Sequence, residues 1–237
     1  MGKVAYFIYS GQLSRIGEKC FQSLQEKSDC RIILYHDSVC NKPKNTELIP
    51  IDINRWNNRR MTHRMELALE LPVLEGDQIL VLDTDLLFQS DPFAVFQEAE
   101  FDLFYTSRGF VSDFNINAGV WGFVQNERSK KLLEFMVKQA NNPSWEPYKE
   151  FRRAFRKNDS REKDWWTNQD LLCVLSKHAP PINASLYDAG EKYNCCPRSG
   201  GGISLTGDAM KEFVQKIGDD SYVIMHYKEM EKQCRLL

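Results

Sequence analysis

The sequence predicts an α/β fold with a mostly parallel central sheet flanked by helices. Short apolar runs bounded by turn residues alternate with longer segments whose apolar residues recur at helical spacing. Strands that alternate with helices are typical of parallel sheets covered on both faces. A length of 237 residues suits one domain, or one domain with a small appendage, and we expect a single domain spanning 1–237. The sequence contains no internal repeat and no low-complexity segment.

The elements follow from this pattern in chain order. The first strand ends at Ser10-Gly11, a turn signal, and Pro72 marks the end of the second helix. Strands are predicted at the apolar runs 4–9, 31–35, 47–53, 78–82, 101–105, 118–123 and 222–225. Helices are predicted at 12–27, 61–71, 129–138 and 168–175.

Two segments fall outside the alternation. Residues 141–163 are rich in Asn, Pro, Trp and basic side chains, which is typical of a solvated helix with its connections. The alternative for this segment is a flap that helps to hold an anionic ligand. Residues 199–202 are rich in glycine and lack a P-loop pattern, so they are predicted as a flexible loop.

Composition limits the function classes. Hydrophobic residues make up 42% and charged residues 27%, which is typical of a globular domain, and the net charge of -2 gives no general attraction to nucleic acid or an anionic membrane. No apolar stretch is long enough to span a bilayer, and the first residues lack the apolar core of a signal peptide. The seven cysteines show no C-x-x-C spacing, so we expect reduced thiols in a cytoplasmic protein.

The sharpest motif is Asp83-Thr84-Asp85, directly after the apolar strand 78–82. In open α/β sheets, ligands bind outside the carboxyl ends of the strands. Two carboxylates one residue apart at such an end can converge on one cation, and their hard oxygen atoms suit Mg²⁺ or Mn²⁺. The alternative is an ordinary acidic turn after a strand, because Asp is common there.

Four motifs in order carry a resemblance to a known family. Asp83-Thr84-Asp85 is followed by Asn117-Ala118-Gly119, by Asn168-Gln169-Asp170, and by His226 with Lys232 six residues on. In this order they resemble the GT-A glycosyltransferases, above all the retaining family 8 that includes galactosyltransferases and glycogenin. The chain departs from that pattern at three positions, where the family has Asp, Gly and Pro: Asn168, Glu229 and Gln233.

The resemblance implies a metal-dependent glycosyltransferase acting on a nucleotide-diphosphate sugar, with UDP-sugar favoured, Mn²⁺ or Mg²⁺ as cofactor, and retention of configuration. The donor-binding half would span about 1–124, and the half that closes over the acceptor (a saccharide, protein or lipid) about 125–237. Asp83 and Asp85 would bind the metal and the donor ribose, with His226 as third metal ligand. Arg64 and Lys232 would add positive charge at the diphosphate. The alternatives are a solvated helix residue for Arg64 and a hydrogen-bonded strand-end histidine for His226.

The remaining implied roles concern the sugar and the nucleoside. Gln169 and Asp170 would lie beside the anomeric carbon, where Asp170 would stabilise positive charge or orient the acceptor. For Asp170 the alternative is an ordinary first-turn acid favoured by the helix dipole. The sugar pocket would be lined by Asn117, Ala118 and Gly119, and the donor would further contact Thr84 and the end of the first strand at Tyr6, Tyr9 and Ser10.

Three rival functions remain open at the sequence level. A haloacid dehalogenase-like phosphatase also has D-x-D after an apolar strand, and Gly218-Asp219-Asp220 could be its distal acidic motif. However, its D-x-D follows the first strand, whereas here about eighty residues precede it. A protein that binds nucleotide sugars or carbohydrate without catalysis is compatible with the altered Asn168 and Glu229. Nucleotidyl transfer needs a Gly-rich basic loop after the first strand, and residues 10–15 match that pattern poorly.

Overall fold

The computed structural model describes residues 1–9, 11, 14–37, 43–51, 53–108, 115–155, 167–196 and 214–227, without the side chains of 53–60. Within these residues the strands are β1 Lys3–Tyr9, β2 Arg31–His36, β3 Thr46–Pro50, β4 Gln78–Leu82, β5 Leu86–Phe88, β6 Leu103–Tyr105, β7 Val120–Val124, β8 Leu186–Asp188 and β9 Ile224–His226. The helices are α1 Arg15–Lys27, α2 Ile53–Leu69, α3 Val95–Glu98, α4 Glu127–Asn141, α5 Glu146–Phe155 and α6 Thr167–Leu175. Two 3₁₀ turns lie at Pro92–Ala94 and Glu191–Tyr193.

Seven strands form the central sheet in the order β3-β2-β1-β4-β7-β6-β8. β1 pairs in parallel with β2 and β4, and β2 with β3. β7 runs antiparallel between β4 and β6, while β8 is parallel to β6. Six of these strands therefore share one direction, and the prediction of a mostly parallel sheet flanked by helices is confirmed.

Alternate residues of each central strand enter two different cores. Tyr6 and Val81 point to the face covered by α2, α4 and α6. Phe7 and Leu82 point to the opposite face, where α1 packs with Cys20 and Phe21. Because both faces of these strands are buried, their sequences are apolar throughout instead of alternating.

Local capping explains where two helices begin. The side chain of Ser14 accepts a hydrogen bond from the Gly17 amide at the start of α1. At the start of α4, Asn126 and Ser129 form a reciprocal capping box, in which each side chain accepts from the other's backbone N–H. These caps satisfy amide groups that have no partner within the helix.

The structure differs from the predicted elements in several places. α2 begins at Ile53, whereas the apolar pattern predicted a start at Met61. The segment before Met61 is mostly polar, so its helical state leaves no apolar periodicity in the sequence. The short elements β5, α3 and β8 were not predicted, because three or four residues carry too little periodicity. α5 confirms a helix within 141–163, whereas the glycine-rich 199–202 lies outside the described residues.

A second, two-stranded sheet positions the C-terminal histidine. β5 follows the acidic motif directly and pairs antiparallel with β9, in a register that sets Leu86 opposite His226. The Tyr227 amide donates to the Asp85 carbonyl at 2.8 Å, which extends this pairing by one residue. His226 was predicted to follow the last strand, and it is instead the last residue of that strand.

None of the helices in the described part of the chain is long and apolar enough to cross a membrane.

The five cysteines within the described ranges are free thiols. Four of them are buried and Cys30 is half-buried, and burial raises the pKa of Cys30 to about 12 and that of Cys173 to about 11.

Candidate metal and donor site

The site lies at the carboxyl edge of the central sheet. β4 ends at Leu82, and Asp83 is the next residue. Because β7 runs antiparallel to β4, the start of β7 lies at the same edge, and the Asp83 amide donates to the Gly119 carbonyl at 2.9 Å. The sheet topology therefore brings together two motifs that lie far apart in the sequence.

Asp83, Asp85 and His226 form a cluster in which one ligand atom from each lies within 4.8 Å of the others. The His226 Nε2 atom is 3.1 Å from Asp85 Oδ1 and 3.7 Å from Asp83 Oδ2. The aspartate side chains are 37% and 34% exposed, whereas the His226 side chain is 2% exposed. Two half-exposed carboxylates and one buried imidazole nitrogen could thus hold a divalent cation that is reached from solvent.

The protonation of His226 follows from these neighbours. Burial lowers the pKa of His226, but the charge of Asp85, the Cys196 thiol and hydrogen bonds to both raise it by more, from 6.5 to about 10. In the metal-free protein the imidazolium therefore pairs with the two carboxylates. A cation that takes Nε2 as a ligand must displace this proton.

The absence of a side chain at Gly119 leaves room for the side chains of Asp83 and His226. A Cβ atom at this position would lie 2.3 Å from His226 Cε1 and 2.7 Å from Asp83 Oδ2. Such distances are shorter than van der Waals contact, so any side chain would displace the histidine or the aspartate. Gly119 was predicted to let the backbone approach a sugar closely. It also provides the space that the candidate metal ligands Asp83 and His226 occupy.

Arg64 is buried at the cluster and is not the solvated helix residue considered above. Its Nη1 donates to Asp83 Oδ1 at 2.7 Å and lies 3.4 Å from the Ala118 carbonyl oxygen. Arg64 is 5% exposed, and its Nη2 has no hydrogen-bond partner among the described residues. A buried guanidinium with an unused donor beside an acidic cluster can bind an oxygen atom of a ligand.

Two of the residues predicted to contact the nucleoside have partners within the protein. Tyr6 is fully buried, and its hydroxyl donates to the Arg64 carbonyl oxygen at 2.9 Å. Tyr9 stacks on His36, with ring centroids 6.3 Å apart. In this structure Tyr6 supports α2, the helix that carries Arg64.

Asn117 belongs to a buried polar network behind the histidine. Its Oδ1 accepts from the Gly119 amide at 2.9 Å, which closes the predicted Asn-Ala-Gly turn. Its Nδ2 lies 2.8 Å from Cys196 Sγ and 3.3 Å from His226 Nδ1. The sequence did not identify Asn194, whose Oδ1 lies 2.9 Å from the same nitrogen of the histidine. A polar residue between Tyr193 and Cys195, both buried, was the available signal.

The predicted residues beside the anomeric carbon lie in the first turn of α6. Gln169 and Asp170 are buried there, 8% and 4% exposed, and α6 packs against α2. Asn168 is 1% exposed, its Oδ1 accepts from the Gln169 amide, and its Nδ2 has no hydrogen-bond partner among the described residues.

Of the remaining predicted donor contacts, Thr84 lies between the two aspartates and is half-buried. Ser10 and Lys232 lie outside the described residues.

The distal motif of the phosphatase alternative does not join the cluster. Asp219 and Asp220 are exposed, and Asp219 Oδ1 accepts from the amide and hydroxyl of Ser221. The acidic motif also follows the fourth strand of the chain rather than the first. The structure therefore gives the phosphatase alternative no support.

Solved structures identify the fold. No family model matches the sequence, and no curated protein is significantly similar to it in sequence. The galactosyltransferase LgtC in complex with donor and acceptor sugar analogues is 13% identical, with a TM-score of 0.53 and coverage of 95% of this chain and 87% of that one. A glycosyltransferase involved in glycosylation of the major capsid of PBCV-1 is 12% identical, with a TM-score of 0.54 and coverage of 98% and 96%.

A third similar structure is the apo form of the glycosyltransferase GlyE of Streptococcus pneumoniae TIGR4, at 16% identity and a TM-score of 0.54. The comparison covers 100% of this chain and 57% of GlyE, so this chain spans little more than half of that protein. The mostly parallel seven-stranded sheet flanked by helices agrees with these likenesses. The chain therefore has the GT-A fold of the glycosyltransferases to which its sequence motifs are similar.

Proposed function

We propose that this protein is a metal-dependent glycosyltransferase that moves a sugar from a nucleotide-diphosphate sugar, with UDP-sugar favoured, to a saccharide, protein or lipid acceptor. One observation carries the proposal. Asp83, Asp85 and His226 meet at the carboxyl edge of a GT-A sheet, with the buried Arg64 beside them. The neighbours named above, all glycosyltransferases, support the same reaction class.

The residues fit a divalent cation of the Mn²⁺ or Mg²⁺ type. Two carboxylates and one imidazole nitrogen suit a cation that prefers hard ligands and keeps positions open for diphosphate oxygens. The missing side chain at Gly119 keeps the three ligand groups within reach of one another. When bound, the cation would act as a Lewis acid that stabilises charge on the leaving diphosphate.

Arg64 supplies the fixed positive charge of the site. Its Nη1 orients the Asp83 carboxylate, and its unused Nη2 donor is available to an oxygen of the donor. Hydrogen bonds that involve a charged partner are roughly twice as strong as neutral ones, and they strengthen where water is excluded. Lys232, outside the described residues, is proposed to add a second positive charge.

The sugar would lie against the Asn117-Ala118-Gly119 turn, with Gln169 and Asp170 beside the anomeric carbon. Asn117 is buried in the network behind His226, so its proposed contact with the sugar involves the backbone of the turn. Asp170 is proposed to stabilise the oxocarbenium-like centre of a retaining reaction. NMR of the first-formed product decides the stereochemistry, and an inverted product would argue against retention.

The experiment combines a thermal-shift panel of nucleotide sugars with an assay of donor hydrolysis, each with Mn²⁺ and with EDTA. A donor that binds the native protein raises its melting temperature by mass action. We expect the shift and the hydrolysis to require Mn²⁺ and to be lost in Asp85→Asn, because the amide removes the charge that holds the cation. Asp85 is half-exposed, so the variant should fold normally.

Asp219→Asn is the matched control, because Asp219 is exposed and lies outside the cluster. We expect this variant to keep the donor-dependent shift and the hydrolysis. Full donor hydrolysis in EDTA, or in Asp85→Asn, would contradict the proposal. Binding without hydrolysis or transfer would favour the non-catalytic alternative, and cleavage of an aryl phosphate would favour the phosphatase.

A further inference from the structure

A buried asparagine contacts the side of His226 that faces away from the two carboxylates. Asn194 is 1% exposed, and its Oδ1 lies 2.9 Å from His226 Nδ1. His226 Nε2 faces Asp83 and Asp85 on the other side of the ring. Whether Nδ1 or Nε2 carries the proton of the neutral imidazole therefore decides whether the carboxylate side has a free lone pair.

Backbone groups fix the orientation of the Asn194 amide. Its Nδ2 lies 3.1 Å from the Asn117 carbonyl oxygen, which can only accept a hydrogen bond. The same Nδ2 lies 2.8 Å from Thr106 Oγ1. The Thr106 hydroxyl donates towards backbone carbonyls, with the Val120 oxygen at 2.9 Å, so it has lone pairs left to accept from Asn194. The nitrogen of the amide must face these acceptors, and the oxygen must face His226.

The other neighbours of Nδ1 are Asn117 and Cys196, whose Sγ lies 3.7 Å away. Asn117 Oδ1 accepts from the Gly119 amide, so Asn117 Nδ2 is the atom that points towards His226, at 3.3 Å. That amide nitrogen has a shorter contact, at 2.8 Å, with Cys196 Sγ. The shortest contact of Nδ1 is therefore with an acceptor, Asn194 Oδ1, and Nδ1 is the donor.

We propose that Asn194 is a positioning residue for the metal site: it holds a proton on His226 Nδ1 so that the Nε2 lone pair points at the cation between Asp83 and Asp85. The inference rests on the proposed function, because it assumes that a divalent cation binds there. Thr106 and the carbonyl of Asn117 do not contact His226 in this role; they accept hydrogen bonds from Asn194 Nδ2 and so fix the orientation of its amide. Partners of this kind orient a metal-bound histidine and make it a stronger ligand.

Two variants of similar size separate positioning from packing. Asn194→Leu removes the acceptor, and Asn194→Asp keeps an oxygen that can accept from Nδ1–H. By titration with Mn²⁺ alone, we expect the Leu variant to bind about 10- to 100-fold more weakly than the native protein. The Asp variant keeps an acceptor for Nδ1–H but loses the hydrogen bond to the Asn117 carbonyl oxygen, so we expect its affinity to lie between those of the native protein and the Leu variant. Circular dichroism and melting temperature confirm that each variant is folded. Equal Mn²⁺ affinity in a folded Leu variant would overturn the proposal.

A spectroscopic measurement on the unmodified protein tests the tautomer on which the inference depends even if the Leu variant does not fold. With Mg²⁺ bound, two-bond ¹⁵N–¹H correlations of His226 should show a protonated Nδ1 and an unprotonated Nε2. A protonated Nε2 in the Mg²⁺-bound protein would contradict the inference. If the native protein binds neither Mn²⁺ nor Mg²⁺, the proposed metal site fails together with the role of Asn194. Metal binding that is unchanged in the Leu variant removes the role of Asn194 alone.

Discussion

At the scale of single residues, the site depends on side-chain size as much as on charge. That Asp83, Asp85 and His226 are candidate ligands was predictable, because acidic residues after a strand and a histidine near the end of the chain occur in a recognisable order of motifs. Asn194 was not, because its importance comes from distances of about 3 Å to groups remote in sequence, to His226 and Asn117. No periodicity or spacing records such a contact.

Gly119→Ala tests the size requirement. The added Cβ would lie 2.3 Å from His226 Cε1 and 2.7 Å from Asp83 Oδ2, so at least one ligand must move. The buried histidine cannot swing into solvent, and a displaced ligand weakens the site. We expect the Mn²⁺ affinity, measured by calorimetric titration, to fall by about tenfold or more while the protein stays folded.

Gly122→Ala is the matched control within the same strand region. Its Cβ would lie 2.3 Å from the Ile79 carbonyl oxygen and 2.6 Å from Phe104, and neither is a ligand. Overpacking of this kind costs about 1–3 kcal/mol. We expect both variants to lose stability, because each added Cβ overlaps a buried group, but only Gly119→Ala to lose Mn²⁺ affinity as well. Equal Mn²⁺ affinities in the two variants would show that the clearance at Gly119 is irrelevant.

At the scale of elements, length decided what the sequence could predict. β1, β2, β4 and α1 have five or more residues with a strong apolar pattern, and they lie where the pattern placed them. β5 has three residues, yet its pairing with β9 is what carries His226 to the acidic motif. The local sequence could not reveal this pairing, because antiparallel partners more than a hundred residues apart leave no shared local signal.

Asp102 directly precedes β6, and its side chain connects this strand to the starts of α4 and β8. The variant Asp102→Asn tests this connection. The carboxylate is fully buried; one oxygen accepts from Asn126 and Arg128 at the start of α4, and the other accepts from the amide and hydroxyl of Ser185 before β8. An amide offers one oxygen, so donors on one side would face an NH₂ group. We expect the free energy of unfolding to fall by about 1–3 kcal/mol at neutral pH, measured by urea denaturation.

The pH dependence of this effect has a defined sign. Burial tends to raise the pKa of Asp102, but its hydrogen bonds to Ser185 and Asn126 and the charge of Arg128 together lower it below 3.8. A depressed pKa stabilises the fold above the unfolded value, and this contribution is lost as the pH falls through the folded value. The stability difference between native protein and Asp102→Asn should therefore be full at neutral pH and shrink below 3.8. A difference that is constant down to acid pH would contradict this account.

At the scale of the whole molecule, one sheet edge gathers residues from almost the full length of the chain. Parallel strands that share an edge, one reversed strand, and a small second sheet deliver Arg64, Asp83, Gly119 and His226 to one place. The α/β class was predictable from alternation alone. The reversed direction of β7 was not, although it is what sets Gly119 against Asp83.

The charge state of His226 links the stability of the whole protein to the proposed metal binding. Its pKa is raised from 6.5 to about 10, so in the metal-free protein its favourable charge interactions are complete below 6.5 and are lost as the pH rises through about 10. Because a cation at Nε2 must displace this proton, Mn²⁺ affinity should rise by up to about tenfold per pH unit between about pH 6 and about pH 8. Calorimetric titrations in buffers of different ionisation enthalpy count the released protons.

His226→Gln removes the titrating group and is the control. Its Mn²⁺ binding should be weak, with a shallower dependence on pH, and its metal-free stability should lose the decline between pH 6.5 and about pH 10. A pH slope in His226→Gln equal to that of the native protein would assign the proton to another group.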